Sequence, residues 1–142
     1  MVAAASALRR HAHDALRPVP SDGLEIRRDP LKGRGVFART AIGAGTLIER
    51  APVVIVPYDQ RGSLDDTVLH DYYFVWDNQG GESRAAVALG LVSLCNHSRR
   101  PNARVRPNRA RETLDLLALT PIAAGREITI DYNCPLWFAA GD

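Results

Sequence analysis

The sequence predicts a mostly β fold, several small sheets of short strands around one or two short helices. Three observations carry this expectation. β-Branched segments are short and repeatedly interrupted by glycine, proline or asparagine, helical periodicity is sparse, and one pattern occurs twice. The repeat sets Thr40-Ala41-Ile42-Gly43-Ala44-Gly45-Thr46-Leu47-Ile48 against Thr120-Pro121-Ile122-Ala123-Ala124-Gly125-Arg126-Glu127-Ile128. Each half reads as an extended piece, a turn and a strand. Gly45 and Gly125 fall at the turn position where φ is positive, a conformation that costs glycine nothing.

The strands after these turns, residues 47–55 and 127–132, are rich in β-branched side chains. Residues 24–28, 35–38, 103–107 and 113–119 are short and β-like, with turn residues between them. Helix is assigned to residues 65–74, with Asp65 as the cap, and to residues 85–94. Residues 57–81 read as an otherwise irregular middle.

A length of 142 residues, 46% hydrophobic and 24% charged, suits one globular domain. That domain is placed at residues 21–142, behind an Ala-rich, Arg-containing N-terminal extension at residues 1–20. No apolar run approaches the ~20 residues of a membrane span, so no membrane partner is expected. Cys95 and Cys134 are the two cysteines; they make neither a disulfide framework nor a zinc-ligand spacing. No metal site and a reduced cytosolic setting follow as expectations. Lys32 is the sole lysine among 18 basic residues, and the abundance of Ala and Arg points to GC-rich coding and a bacterial cytoplasm, a setting compatible with delivery into a host cell.

Arg99, Arg100, Arg104, Arg106, Arg109 and Arg111 crowd one stretch. No aromatic residue is interleaved there for base stacking, so a solvated hairpin face is expected and direct nucleic-acid binding is not.

The chemistry-bearing run is Ser93-Leu94-Cys95-Asn96-His97-Ser98-Arg99-Arg100-Pro101-Asn102, directly after the charge-free residues 85–95. That apolar stretch reads as a buried helix or strand delivering Asn96 and His97 inward. Buried, each unpaired polar atom of the pair costs roughly 1–3 kcal/mol, so both must be bonded to backbone, water or a ligand. By itself the run is equally a turn or a site. Upstream, Lys32-Gly33-Arg34-Gly35-Val36-Phe37-Ala38 places two glycines just before a strand, which permits close backbone approach to a ligand. It is no dinucleotide fingerprint, since the third glycine and the following helix are missing.

These two segments, with Glu127-Ile128-Thr129-Ile130-Asp131-Tyr132, stand in the order and approximate spacing of the SET-domain protein-lysine methyltransferases, which the chain resembles over residues 24–138. The resemblance is greatest to the minimal viral and bacterial members, whose aromatic segment is similar to Asp71-Tyr72-Tyr73-Phe74. It implies a β-clip-like fold with a C-terminal knot-like crossing of the Asn-His-Ser and Asp-Tyr segments beside an S-adenosylmethionine pocket. By the same resemblance the backbone around Lys32, Gly33, Arg34 and Gly35 holds the methionine end of the cofactor, and Asn96 and His97 bind its amino and adenine groups. Tyr132 corresponds to the catalytic tyrosine, Tyr72 and Tyr132 line the channel for the target lysine, and Trp137 covers the adenine.

Methyl transfer from a sulfonium asks mainly for alignment of amine, methyl and sulfur with water kept out. Only neutral lysine attacks, and an apolar channel beside a cation disfavours the ammonium form. A tyrosine with the unperturbed pKa of about 10 is a poor general base at neutral pH, so orientation of the amine is the role assigned to Tyr132. Arg99 stands where many members carry a cysteine, and the terminal zinc-binding cysteine cluster of those members is missing. The expectation is closure of the channel by Leu136, Trp137, Phe138 or a second subunit, and a homodimer like the minimal members. The partner class is a protein with an exposed lysine, such as a histone or histone-like protein; the alternative is a non-catalytic SET-like binding module. Tyr73, Phe74, Trp76 and Cys95 read as packing residues.

Overall fold

A computed structural model describes residues 16–132. Its strands are β1 (Leu24–Asp29), β2 (Gly33–Ala38), β3 (Leu47–Val56), β4 (Tyr73–Gln79), β5 (Glu82–Ala88), β6 (Asn96–His97), β7 (Ala103–Asn108), β8 (Thr113–Ala118) and β9 (Glu127–Ile130). They form one sheet in the order β1-β2-β9-β6 and another in the order β4-β5-β3-β8-β7. Every pairing is antiparallel except β6 with β9. The mostly β expectation holds.

The repeated pattern joins the two sheets. Ile42 and Ile122 form an isolated antiparallel bridge, each N–H donating to the other's carbonyl at 2.8 Å. Gly45 N–H donates to Ala118 O at 2.8 Å, and its counterpart Gly125 donates to Ala38 O at 2.7 Å. Both glycines have the positive φ that the turn requires, 79° and 85°. The halves then exchange strands. β3, following the first turn, pairs with β8 of the later hairpin, whereas β9, following the second, pairs with β2 of the earlier one.

Ile42, Ile122, Val36, Ile48, Leu116 and Ile128 meet in a common core, each burial contributing roughly 1.5–3 kcal/mol. β8 is buried along its whole length, including one carboxylate. Asp115 is fully buried and accepts from Arg50 Nε at 2.9 Å, Arg50 Nη2 at 3.0 Å and Thr113 Oγ1 at 3.0 Å. Burial pulls this carboxyl upward. The hydrogen bonds from Arg50 and Thr113 and the Arg50 charge outweigh it, so the net shift is downward.

Two helix expectations are corrected. The α-helix lies earlier, as the short α1 (Arg61–Asp65), and residues 65–74 hold only a 3-10 turn at Val68–Asp71 before the next strand. Thr67, not Asp65, caps that turn, its Oγ1 accepting from Leu69 N at 3.2 Å. Tyr73 already begins β4, which therefore occupies part of the middle read as irregular. Aromatic and β-branched residues there gain more from pairing with β5 than a helix would return. In residues 85–94, Ala85 to Ala88 belong to β5, and only Leu91–Leu94 is helical, as a 3-10 turn. Alanine's helix propensity is overridden because β5 lies between β3 and β4, where Ala85 and Ala86 have no exposed surface.

Asp115→Ala leaves Arg50 without its buried counter-charge, a loss of about 3–5 kcal/mol by equilibrium urea unfolding. A change below about 1 kcal/mol contradicts this account. Because folding lowers the Asp115 pKa, its contribution is complete well above the ordinary 3.8 and is lost as pH falls through the folded value.

Candidate active site

The β1–β2 turn is pinned by its own sequence. Asp29 Oδ1 accepts from Leu31 N at 2.7 Å and Lys32 N at 3.0 Å, and these backbone donors hold the carboxyl below its usual range. Gly33 follows at φ 79°. Gly35 instead leaves room for two side-chain ends: a Cβ there would lie 2.5 Å from Glu127 Oε1 and 2.9 Å from Asn96 Nδ2, so both would have to move aside.

Asn96 reaches this point from the Leu91–Leu94 turn. Glu49 anchors that turn by accepting from Leu91 N and Val92 N, both at 2.7 Å. Its carboxylate is packed against Gly90, where an added Cβ would meet Oε1 at 2.5 Å and the Ala51 side chain at 2.8 Å. β6 then runs parallel to β9, Asn96 opposite Thr129 and His97 opposite Ile130. The Asn96 amide donates to Arg34 O at 3.2 Å and to Glu127 Oε1 at 2.7 Å. Lys32 Nζ stands 3.9 Å from Glu127 Oε2.

His97 and Tyr132 form the next layer. Only 7% of the His97 side chain is exposed. Its Nδ1 accepts from Tyr132 N at 3.2 Å, which places the proton of the neutral ring on Nε2. The two rings lie 5.2 Å apart, and the Tyr132 hydroxyl donates to Cys95 O at 3.0 Å. Cys95 is itself buried, and burial pushes its thiol far up, so it is a packed, unreactive side chain.

Tyr132 and Tyr72 share a cavity of about 880 Å³ with Ser93, Cys95, Asp71 and Asp131. Tyr72 is 38% exposed, whereas Trp76 is buried and Phe74 packs against the core. Another part of the wall is a network not foreseen from sequence. Arg61 Nη2 donates to the Tyr73 hydroxyl at 2.9 Å, which donates to Asp65 at 2.7 Å, and His70 Nδ1 lies 3.0 Å from the same carboxylate. Hydrogen bonds from His70 and Tyr73 hold Asp65 below the usual carboxylate range.

The structure thus gathers Lys32, Arg34, Gly35 and Asn96 around Glu127, with Gly33 in the adjoining turn, and sets His97 against Tyr132. Of Arg34, the carbonyl is the atom that bonds Asn96. Trp137, with Leu136, Phe138 and Cys134, lies outside the described residues, as does most of the N-terminal extension. Arg104, Arg106, Arg109 and Arg111 fall on the β7–β8 hairpin, and the Arg-rich stretch is largely exposed; Arg109, itself exposed, donates to Trp76 O at 3.1 Å and lies over the Trp76 ring. Among the described residues no group of three or more His, Cys, Asp or Glu side chains is placed to hold a metal ion.

Sequence reasoning missed Glu127 and Asn102 as positioning groups. Asn102 takes the place of a backbone segment beside β9, donating to Glu127 O at 2.8 Å and accepting from Thr129 N at 2.9 Å. Period-two alternation was the available signal for Glu127: Ile128 and Ile130 are buried, so residues 127 and 129 share the other face.

Small sheets with exchanged strands, and an Asn-His strand laid against an Asp-Tyr segment, define the SET architecture. A crystal structure of a candidate histone methyltransferase from Plasmodium falciparum superposes with a TM-score of 0.60 at 26% identity, covering 82% of this chain and 97% of that one. The chain belongs to the SET-domain family, whose SET domain matches residues 33–133. It is 39% identical over 124 residues to the H3 lysine-37 specific histone-lysine N-methyltransferase of Schizosaccharomyces pombe, covering 85% of this chain and 80% of the relative. It is also 32% identical over 134 residues to the histone-lysine N-methyltransferase Set8 of Drosophila pseudoobscura pseudoobscura, covering 87% of this chain but only 19% of that longer protein. These relatives are eukaryotic and lend no support to the bacterial source read from composition.

Gly35→Ala drives a methyl group between Glu127 and Asn96 and costs about 1–3 kcal/mol. Gly33→Ala meets no neighbouring atom and costs about 1–2 kcal/mol through φ alone. In ¹H–¹⁵N spectra the Asn96 side-chain amide signals move in the Gly35 variant and stay in place in the Gly33 variant; equal displacement in both argues against crowding at residue 35.

Proposed function

We propose that this protein transfers a methyl group from S-adenosylmethionine to a lysine side chain of a histone or histone-like protein. Family membership and the yeast relative support protein-lysine methylation. The observation that carries the chemical reading is Tyr132, held between His97 and Cys95 on the wall of a cavity that it shares with Tyr72.

The residues present fit the cofactor. Its amino-acid end is a zwitterion, and Lys32 offers a cation for the carboxylate. Asn96, with both amide hydrogens committed, offers Oδ1 as the acceptor for the ammonium. Gly33, with open space where a Cβ would stand, permits close approach of the main chain. When bound, S-adenosylmethionine supplies the electrophilic methyl group. His97 and the tail residue Trp137 complete the binding set in this reading.

The tyrosines act on the lysine. Since the Tyr132 hydroxyl gives its proton to Cys95 O, toward an incoming amine its oxygen is an acceptor. That bond orients the nitrogen and leaves its lone pair for attack. Tyr72 bounds the same cavity, so it narrows the space around the amine and excludes water, which disfavours the ammonium form. Asp71 and Asp131 share the cavity lining with Arg61, Arg104 and His70, so its charge is mixed.

The homodimer belongs to the same proposal, supported by the exposed apolar residues Val54, Val75 and Leu89. Among the described residues no helix is long and apolar enough to cross a membrane. The cytoplasmic bacterial setting rests on composition alone.

Calorimetric titration with S-adenosylmethionine, followed by mass spectrometry of histones incubated with the protein, tests the reading. Cofactor binding and +methyl products on lysine are expected; no cofactor binding sinks the enzyme reading. Tyr132→Phe is expected to lower kcat by about 10- to 100-fold through lost alignment while retaining cofactor affinity. Undiminished turnover refutes the role assigned to its hydroxyl.

A further inference from the structure

We propose that Glu127 is a positioning residue for cofactor recognition, fixing which edge of the Asn96 amide, and where the Lys32 ammonium, meets the amino-acid end of the ligand. The inference rests on the methyltransferase reading above and assigns a role to a residue that does not itself need to touch the cofactor.

The argument begins with donor and acceptor counting. A primary amide has two N–H donors on one atom and an acceptor oxygen on the other, and an unconstrained asparagine can present either. Here both donors face acceptors, Glu127 Oε1 at 2.7 Å and Arg34 O at 3.2 Å. Rotating the amide by half a turn would set Oδ1 against a carboxylate and a carbonyl, two repulsive contacts in place of two hydrogen bonds. Glu127 therefore locks Asn96 with Oδ1 as the atom left for a ligand, which suits an alkylammonium and rejects a carboxylate.

The second carboxylate oxygen addresses the other charge. Glu127 Oε2 lies 3.9 Å from Lys32 Nζ, the single ammonium side chain in the protein. One carboxylate thus relates an acceptor for the ligand's cation to a cation for the ligand's anion. Three features keep that carboxylate in place. Gly35 leaves it room, Asn102 binds the main chain of its own residue, and β9 is paired on both edges.

The test separates orientation from simple structural support by using two ligands. S-adenosylhomocysteine carries the amino-acid end, and 5′-methylthioadenosine lacks it while keeping the nucleoside. Affinities for both are measured for the wild type, Glu127→Gln and Glu127→Ala, with thermal unfolding as the check on folding. Glu127→Ala is expected to weaken S-adenosylhomocysteine binding about tenfold or more, the scale of one charge-assisted hydrogen bond, with methylthioadenosine affinity unchanged. Glu127→Gln keeps an acceptor for Asn96 and loses the charge opposite Lys32, so it falls between wild type and Ala. Equal weakening of both ligands, or undiminished S-adenosylhomocysteine binding in Glu127→Ala, overturns the assignment. If Ala fails to fold, the Gln variant decides alone: selective weakening supports the role, and wild-type affinity for both ligands overturns it. Failure of the wild type to bind S-adenosylhomocysteine is a different result and removes the methyltransferase reading itself.

Discussion

β9 is the strand on which the site depends, because both of its edges and both of its faces are in use. β2 holds one edge and β6 the other. On one face Ile128 and Ile130 are fully buried, and on the opposite face Glu127 and Thr129 stand half-exposed. The parallel pairing with β6 brings Asn96 and His97 alongside, and the chain leaves β9 directly into Asp131 and Tyr132. Shifting β9 by one residue would turn its isoleucines to solvent and its glutamate into the core. The hydrophobic burial that stabilises the fold therefore also sets the register of the chemical groups.

Polar side chains substitute for missing secondary structure throughout this region. Asn102 stands in for a neighbouring strand at Glu127 and Thr129, Glu49 receives the first N–H groups of the Leu91–Leu94 turn, and Asp29 receives those of the β1–β2 turn. Short strands and single helical turns leave many backbone groups without partners of their own kind, and each buried one left unpaired is costly. Arg50 and Asp115 solve a related problem inside the second sheet, where a buried carboxylate is matched by a bidentate guanidinium. Polarity at β8 is buried and paired within the sheet, whereas the polar side chains of β9 stand half-exposed beside Asn96.

The hairpins, the two glycine turns and the strands flanking them were legible because β-branched runs and glycine turns are local signals. So was the meeting of the Asn-His and Asp-Tyr segments, carried by motifs in register and seen at His97 and Tyr132. The helix at residues 85–94 was misread because alanine is selected there for its small volume between two strands, not for its helix propensity. Residues 65–74 misled for a related reason: Thr67 and Asp65 both resemble caps, and the pairing of Tyr73 with Val87 that turns the chain into β4 is invisible locally. Glu127 stands within a motif, yet its partner Asn96 lies far away in sequence, and only the meeting of β6 and β9 discloses the bond.

The duplicated turn has a consequence for how this chain acquires its structure. Since each half donates its last strand to the other half's hairpin, neither contains a complete sheet, and the main-chain bonds from Gly45 to Ala118 and from Gly125 to Ala38 close only when both are present. The entropy of closing those long loops precedes any return from the pairings they allow. A topology of high contact order follows, and with it folding on the slower millisecond-to-second scale of β-rich domains. The Ile42–Ile122 bridge, where the two echoes touch, is the contact at which that long-range closure is registered.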